Sequence, residues 1–159
     1  MPSAKNSARA GKTVDALRLL RSQHEEVSAL FAEFEKSRSR KEALAEEICA
    51  ALTAHATIEE EIFYPAVREG VEDAEDLVAE AAVEHQSLKE LISKIEAAKG
   101  DSEMFEAQVK VLGEYVKHHV KEEQGEMFPK VRESKLDLKA LGERMATRHS
   151  ELTSERAAA

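Results

Sequence analysis

Apolar residues recur every three or four positions over most of the chain, which is the spacing of one face of an α-helix. Four segments show this spacing, and each of the four faces also carries histidine or glutamate. In the first two segments the faces are Leu17, Leu20, His24, Val27, Phe31 and Phe34, then Ala45, Ile48, Leu52, His55, Glu59, Ile62 and Ala66. In the last two they are Val78, Ala81, His85, Leu88, Ile92 and Ile95, then Phe105, Val109, Leu112, Val116, His119, Glu123 and Glu126.

Helix-ending residues separate the four segments. The first segment ends near residues 36–40, the second at Gly70 and the third at residues 99–100. Pro65 and Pro129 are expected to bend the ends of the second and fourth helices, because proline lacks an N–H and clashes with the preceding turn. Short connections make neighbouring helices antiparallel, so the predicted fold is all-α, an up-down-up-down four-helix bundle.

The bundle is expected to span residues 13–133. Residues 1–12 are basic and polar, and we predict a disordered N-terminal tail there. Residues 134–159 are predicted to form a C-terminal helical extension with a fifth, shorter helix. Its apolar residues are Leu138, Leu141, Met145 and Leu152. A chain of 159 residues suits one domain with a single core.

Charge and composition exclude several classes of partner. The 32 acidic residues outnumber the 23 basic residues and give a net charge of −9, which repels nucleic acid and anionic lipid. No apolar run of signal-peptide or membrane-span length is present, so we expect a cytoplasmic protein. The single cysteine, Cys49, excludes an intramolecular disulfide and a cysteine-based zinc site.

The four predicted helices are two copies of one helical hairpin. A shift of 61 positions superposes the first helix on the third, and a shift of 64 superposes the second on the fourth. The residues that pair are His24 with His85, His55 with His119, Glu59 with Glu123, and Pro65 with Pro129. Each hairpin therefore carries one His, then His-x-x-x-Glu, then a proline, and the two sets are expected to face each other across a pseudo-two-fold axis.

These polar residues lie on faces that should be buried. Burying an ionised carboxylate costs several kcal/mol, so two carboxylates and four imidazoles together would rival a domain stability of about 5–15 kcal/mol. Pairing of the glutamates with histidinium or arginine is one solution. Metal binding is favoured for a duplicated set, because His(i) and Glu(i+4) share a helix face and can reach one centre. The candidate metal ligands are His24, His55, Glu59, His85, His119 and Glu123.

The ligand types narrow the choice of metal. The set offers imidazole nitrogen and carboxylate oxygen without thiolate, and it is present twice. Two carboxylates able to bridge suit a pair of iron or manganese ions better than a single zinc ion. We therefore predict a di-iron site, with manganese or zinc as the alternatives.

The doubled H...H-x-x-x-E pattern, with Phe-Tyr-Pro or Met-Phe-Pro after it, resembles the hemerythrin-like HHE cation-binding family. The resemblance covers residues 13–133. It implies a non-haem di-iron centre with oxo or hydroxo and carboxylate bridges inside a four-helix bundle. The implied assignment puts His24 and His55 on one iron, His85 and His119 on the other, and Glu59 and Glu123 between the two.

The chain departs from the oxygen-carrying members of that family at two positions. Lys89 stands where the carriers have a fifth histidine, and Glu123 stands where they have an aspartate one residue later. Each lost ligand leaves a coordination position open, which suits redox chemistry as well as reversible O2 binding. Possible substitute ligands, each expected beside the metals rather than on them, are Glu60, Glu122, His118 and Tyr115.

Three functions are compatible with these residues. The favoured one is a di-iron protein that binds O2 or a related small ligand (NO or peroxide), or iron itself, for sensing, storage or buffering. A redox enzyme acting on peroxide, NO or O2 is the second, and a purely structural metal site is the third. No catalytic triad or phosphate-binding glycine loop is present, which favours binding over catalysis. The predicted partner is thus a small diatomic or peroxide ligand.

Overall fold

The computed structural model describes residues 15–98 and 103–158, and all regular structure in these residues is helical. The α-helices are α1 (Ala16–Lys36), α2 (Lys41–Ile58), α3 (Tyr64–Gly70), α4 (Glu75–Ala98), α5 (Glu103–Glu122), α6 (Phe128–Glu133) and α7 (Leu138–Ala158). Two π-helical turns, π1 (Glu59–Phe63) and π2 (Glu123–Met127), join α2 to α3 and α5 to α6. The predicted tail and the predicted end of the third helix lie outside the described residues.

The helices form a closed ring of four rods. Helix α1 packs against α2, α2 against α4, α4 against α5, and α5 against α1. The predicted all-α bundle is confirmed. Helix α7 packs on the outside of α1 and α2 and reaches π1. It has 21 residues, more than the predicted fifth helix, because no glycine or proline follows Leu152 to end it.

Each π-helical turn begins at one of the two candidate glutamates. The backbone N–H of Tyr64 donates to the carbonyl of Glu59, and that of Phe128 donates to the carbonyl of Glu123, five residues back instead of four. A proline follows directly in both cases. In an α-helix its ring would clash with the carbonyl four residues earlier, and the wider turn relieves that clash. The bends expected at the prolines therefore take the form of one inserted residue each.

The inserted residue changes which side chains are buried after each glutamate. Glu126 is exposed, so its predicted place on the buried face is wrong, and Ile62 and Ala66 are only half-buried. The buried residues after the glutamates are Phe63, Tyr64 and Val67 in the first hairpin and Met127, Phe128 and Val131 in the second. The burial predicted from the spacing of three and four residues was wrong here, because that prediction assumes an unbroken α-helix.

Two apolar clusters fill the bundle, one on each side of its middle. On α1, for example, Leu20 belongs to one cluster and Val27 to the other, with His24 between them. Histidine or glutamate separates the clusters in the same way on the other three rods. The polar residues therefore meet in a layer between two apolar ends. Across residues 15–98 and 103–158, no helix is long and apolar enough to span a bilayer.

Candidate metal centre

The structure brings all six predicted side chains together in the middle of the bundle, and all six are buried. Helical spacing puts His55 next to Glu59, and His119 next to Glu123, one turn apart on the same rod. Glu59 has 0% of its surface exposed. At that burial an ionised carboxylate requires a compensating positive charge.

The four histidines form two pairs, and each glutamate reaches both pairs. The ring centroids of His24 and His55 lie 4.8 Å apart, as do those of His85 and His119. Glu59 Oε1 lies 3.1 Å from His55 Nε2 and 3.2 Å from His85 Nε2.

Glu123 spans the pairs in the same manner. Its Oε1 lies 3.3 Å from His24 Nε2, and its Oε2 lies 3.2 Å from His119 Nε2. The two carboxylates therefore lie between two pairs of imidazole nitrogens. Two groups of donor atoms converge closely enough to hold a cation: His24, His55, Glu59 and Glu123 form one, and Glu59, His85 and His119 form the other. Glu59 belongs to both groups, and Glu123 Oε2 also lies beside His119.

Several atoms of the centre are buried and make no hydrogen bond among the described residues, although some of them lie at ion-pair distance from one another. They are His24 Nε2, His55 Nε2, both carboxylate oxygens of Glu59, and Glu123 Oε1. Buried polar atoms in this state cost free energy, so folded proteins rarely keep them without a ligand or water. Imidazole nitrogens and carboxylate oxygens that converge in this way are a donor set for iron, manganese or zinc. The residues therefore fit a pair of cations.

Without cations, the centre balances its charges by binding protons. Burial opposes protonation of His119, but its hydrogen bond to Glu123 and the negative charge of that residue outweigh burial and raise its pKa to about 10. The pKa values of His24 and His85 are raised against burial in the same way, by Glu123 and Glu59 respectively. Burial would raise the pKa of Glu59, but His55 holds it well below its ordinary range. Histidinium–carboxylate pairing therefore describes the metal-free centre.

A second set of residues orients the histidines. Each Nδ1 donates to a side chain on a neighbouring rod, which leaves Nε2 facing the centre. The donor–acceptor pairs are His24 with Gln124 Oε1 (2.8 Å), His55 with Gln23 Oε1 (2.6 Å), His85 with Glu60 Oε2 (3.1 Å) and His119 with Glu84 Oε1 (2.8 Å). Of these partners, only Glu60 was singled out from the sequence. The repeat itself was a usable signal, because the same shifts of 61 and 64 pair Gln23 with Glu84 and Glu60 with Gln124.

These partners make the two histidine pairs chemically different. Amide oxygens accept from His24 and His55, whereas carboxylate oxygens accept from His85 and His119. A carboxylate partner makes an imidazole a stronger base and a better metal ligand than an amide does. The two histidine pairs are therefore not equivalent, and His85 and His119 are the stronger bases and the better metal ligands.

Tyr64 also belongs to the centre, although the sequence analysis did not select it. Its hydroxyl donates to Glu123 Oε2 over 2.5 Å and lies 3.2 Å from Nε2 of both His85 and His119. Burial raises its pKa well above the ordinary value, and the charges of Glu59 and Glu123 add to that shift. Only the register change in π1 turns this side chain inward.

The remaining candidate ligands lie away from the centre. Tyr115, chosen for its helical spacing from His119, is 48% exposed. The side chain of His118 is also largely exposed, and its Nε2 lies 3.3 Å from Glu122 Oε1 and 3.5 Å from Glu84 Oε2 at the surface. Lys89 is half-exposed and forms an ion pair with Glu60. Glu84 and Glu60 thus connect the buried histidines to charged groups outside.

Comparison with known proteins agrees with this architecture. A family model described as the hemerythrin HHE cation binding domain matches residues 15–131. A DNA nickase from Nostoc sp. is 31% identical over 118 residues, which are 72% of this chain but only 32% of the nickase. The crystal structure of a hemerythrin HHE cation binding domain-containing protein from Mycobacterium kansasii superposes with a TM-score of 0.77 at 24% identity, covering 89% of this chain and 88% of the other. At 24% identity, the superposition supports the fold alone.

Proposed function

We propose that the centre of this protein holds two iron ions. The premise is that the chain belongs to the hemerythrin HHE cation binding domain family. The pair would bind O2 or a related small ligand such as NO or peroxide, or would serve to sense, store or buffer iron itself. The observation that carries the proposal is that each buried glutamate reaches a histidine of both pairs. One cation would leave part of this set without a partner, whereas two use all of it.

The roles of the residues follow from their positions. His24 and His55 would hold one ion, His85 and His119 the other, and Glu59 and Glu123 would be shared. Iron, when bound, supplies redox chemistry and open coordination positions for a small ligand. The Tyr64 hydroxyl holds the Glu123 carboxylate in place, and the four Nδ1 partners hold the rings. Lys89, where the carriers have a histidine, is instead ion-paired with Glu60.

The similarity to a DNA nickase does not extend the proposal to DNA. The chain spans about a third of that protein, since 32% of the nickase is covered. The net charge of −9 also works against contact with a phosphate backbone. We therefore propose no nucleic-acid partner for this chain.

The experiment that tests the proposed function exposes the iron-loaded, fully reduced protein separately to O2, NO and peroxide without air. The visible spectrum is followed in each case, with zinc-loaded protein as a redox-silent control of the same fold. A spectral change with O2 or NO that reverses on removal of the gas supports ligand binding. Sustained consumption of peroxide, NO or O2 would show an enzyme instead, and silence towards all three would contradict small-ligand binding.

Glu84→Gln is expected to weaken the tighter of the two metal-binding steps by roughly 10- to 100-fold, a typical effect of changing the partner of a ligating histidine. The change gives His119 the kind of partner that Gln23 gives His55. The measurement is a calorimetric titration of metal-free protein with ferrous iron under anaerobic conditions.

The control for that titration is Glu122→Gln. Glu122 touches the same exposed histidine, His118, as Glu84 does, but makes no hydrogen bond to His119. The control should leave both binding steps unchanged. Equal loss of affinity in the two variants would contradict the difference between the histidine pairs.

A further inference from the structure

A cavity of about 330 Å³ lies against the histidine side of the centre. All four histidines of the centre line it, whereas Glu59, Glu123 and Tyr64 do not. Most of the remaining inner wall is apolar (Val27, Leu52, Ala56, Leu88, Ile92, Val116 and Val120), and Gln23 and Thr57 add polar atoms to it. The proposed metal pair would therefore have one face packed against the carboxylates and Tyr64 and one face open to this cavity.

The cavity is too large to serve a diatomic ligand alone. A molecule such as O2 is comparable in size to water, whose share of liquid volume is about 30 Å³. Protein interiors are close-packed and keep few voids larger than a water molecule. The volume falls at the lower end of the range for small-molecule sites, about 300–1,000 Å³. A molecule with one or two rings matches this space, and a long-chain lipid does not.

The mouth of the cavity indicates the charge of its occupant. It opens between α2 and α4, where the exposed lining residues are Thr53, Lys89, Ser93 and Glu96. Lys89 is already ion-paired with Glu60, and Glu96 is negative, so the mouth offers no surplus positive charge to an anion. The Thr53 hydroxyl donates to the Cys49 carbonyl and can still accept a hydrogen bond from a neutral polar group, and the Ser93 hydroxyl also lies at the mouth. The site thus combines a largely apolar interior with a polar entrance that has no surplus positive charge.

We propose that this cavity binds a small, neutral, largely apolar organic molecule of one or two rings, with one hydrogen-bonding group towards the mouth. This proposal rests on the proposed function in one respect only: it takes the metal pair to lie next to the bound molecule. The cavity wall itself is held without metal, because Gln23, Gln124, Glu60 and Glu84 orient the four histidines. The occupant would then cover the open face of the centre and control the access of small ligands to it.

Indole is a suitable probe, because it is neutral, bicyclic and carries one N–H donor. The chain contains two tyrosines but no tryptophan, so indole fluorescence can be read selectively when it is excited at a wavelength that tyrosine does not absorb. Titration of indole with the full chain, metal-free and zinc-loaded, is expected to give saturable one-to-one binding with affinities within about threefold of each other. Indole-3-carboxylate, which adds a negative charge, is expected to bind at least tenfold more weakly. Absence of saturation with indole, or tighter binding of the anion, would overturn the proposal.

The location of the site is tested with substitutions that reduce the cavity. Val116→Phe and Ala56→Phe add a ring from different rods of the bundle, and each is expected to weaken indole binding at least tenfold. Val83→Phe is the matched control, since Val83 is 69% exposed and does not line the cavity. Circular dichroism and metal content verify that each variant is folded. Folded cavity variants that bind indole as the unaltered chain does would place the site elsewhere and overturn the proposal.

A competition experiment separates the cavity from the proposed metal function. Azide is added to iron-loaded, oxidised protein with and without saturating indole, and its effect on the visible spectrum is followed in time. We expect indole to slow the azide reaction at least tenfold, because it covers the open face. An azide reaction of unchanged rate would overturn the proposed position of the molecule. A protein that binds indole but no iron would contradict the proposed function and leave the cavity site supported.

Discussion

Glu123→Ala is expected to reduce the metal content of the protein from the proposed two ions per chain to one or fewer. Glu123 Oε1 and Oε2 each lie within 3.3 Å of a histidine from a different pair, so the substitution removes a ligand from both positions at once. Glu59→Ala is expected to have the same effect, because Glu59 also reaches both pairs. The measurement is elemental analysis of protein purified without chelators, followed by metal titration.

The matched control for this loss is Glu126→Ala. Glu126 lies in the same π-helical turn as Glu123, and it is exposed. The control removes one negative charge and the same side-chain atoms, so it should keep two ions per chain. Full metal content in both Glu59→Ala and Glu123→Ala would remove these glutamates as shared ligands. Circular dichroism should show helical spectra for all three variants, since unfolding alone would also release metal.

Removal of the metals is expected to lower the melting temperature by about 8–16 °C near neutral pH. A ligand present at a thousand times its dissociation constant stabilises the folded state by about 4 kcal/mol. For a chain of about this size, each kcal/mol corresponds to roughly 2–4 °C. Without metal, the buried carboxylates of Glu59 and Glu123 have only protons bound by nearby histidines to balance their charges. Thermal melts of chelator-treated and reloaded protein measure the difference.

This difference is expected to grow as the pH rises above neutrality. In metal-free protein the folded-state pKa values of His24, His85 and His119 lie above their ordinary value of 6.5. Their contribution to stability is therefore complete below pH 6.5 and is lost as the pH rises through the folded values, about 10 for His119. Glu59 behaves in the opposite sense: its pKa is lowered, so its contribution is present above 4.5 and is lost only in stronger acid.

Bound cations replace those protons, so the loaded protein should not show the same loss in alkaline solution. Melts at pH 6, 7.5 and 9 test this, with the chelated and loaded proteins compared at each pH. A gap in melting temperature that narrows from pH 6 to pH 9 would contradict the proton-balanced description of the metal-free centre. The same protons should be released when metal binds, which links metal affinity to pH in the same direction.

Much of the fold could be predicted from the sequence because helical spacing is a local property. Residues three and four apart share a face whatever surrounds them, so the four amphipathic segments and their order were visible without coordinates. The inward position of His55 and Glu59 followed from the same spacing. The prediction failed beyond Glu59 and Glu123, where Ile62 and Glu126 were expected on the buried face. One additional residue per turn was enough to move them off that face.

The internal repeat predicted which residues are equivalent in the two hairpins, but not which residues are in contact. It paired the candidate ligands correctly between hairpins, and it also relates Gln23 to Glu84 and Glu60 to Gln124. The pairing did not say that these four residues are hydrogen-bonded to the histidines, because each partner lies on a neighbouring rod. Nor did it distinguish the amide-supported pair of histidines from the carboxylate-supported pair.

The sequence by itself determined the all-α class, the two hairpins and the six polar side chains that face inward, because each of these depends on spacing along a single helix. Tertiary structure alone decided the inward turn of Tyr64, the partners of each Nδ1 and the cavity beside the histidines. These features depend on how far apart neighbouring rods lie and how each is rotated. The packing of the whole bundle sets those two quantities, and the π-helical turns alter the rotation where the glutamates meet.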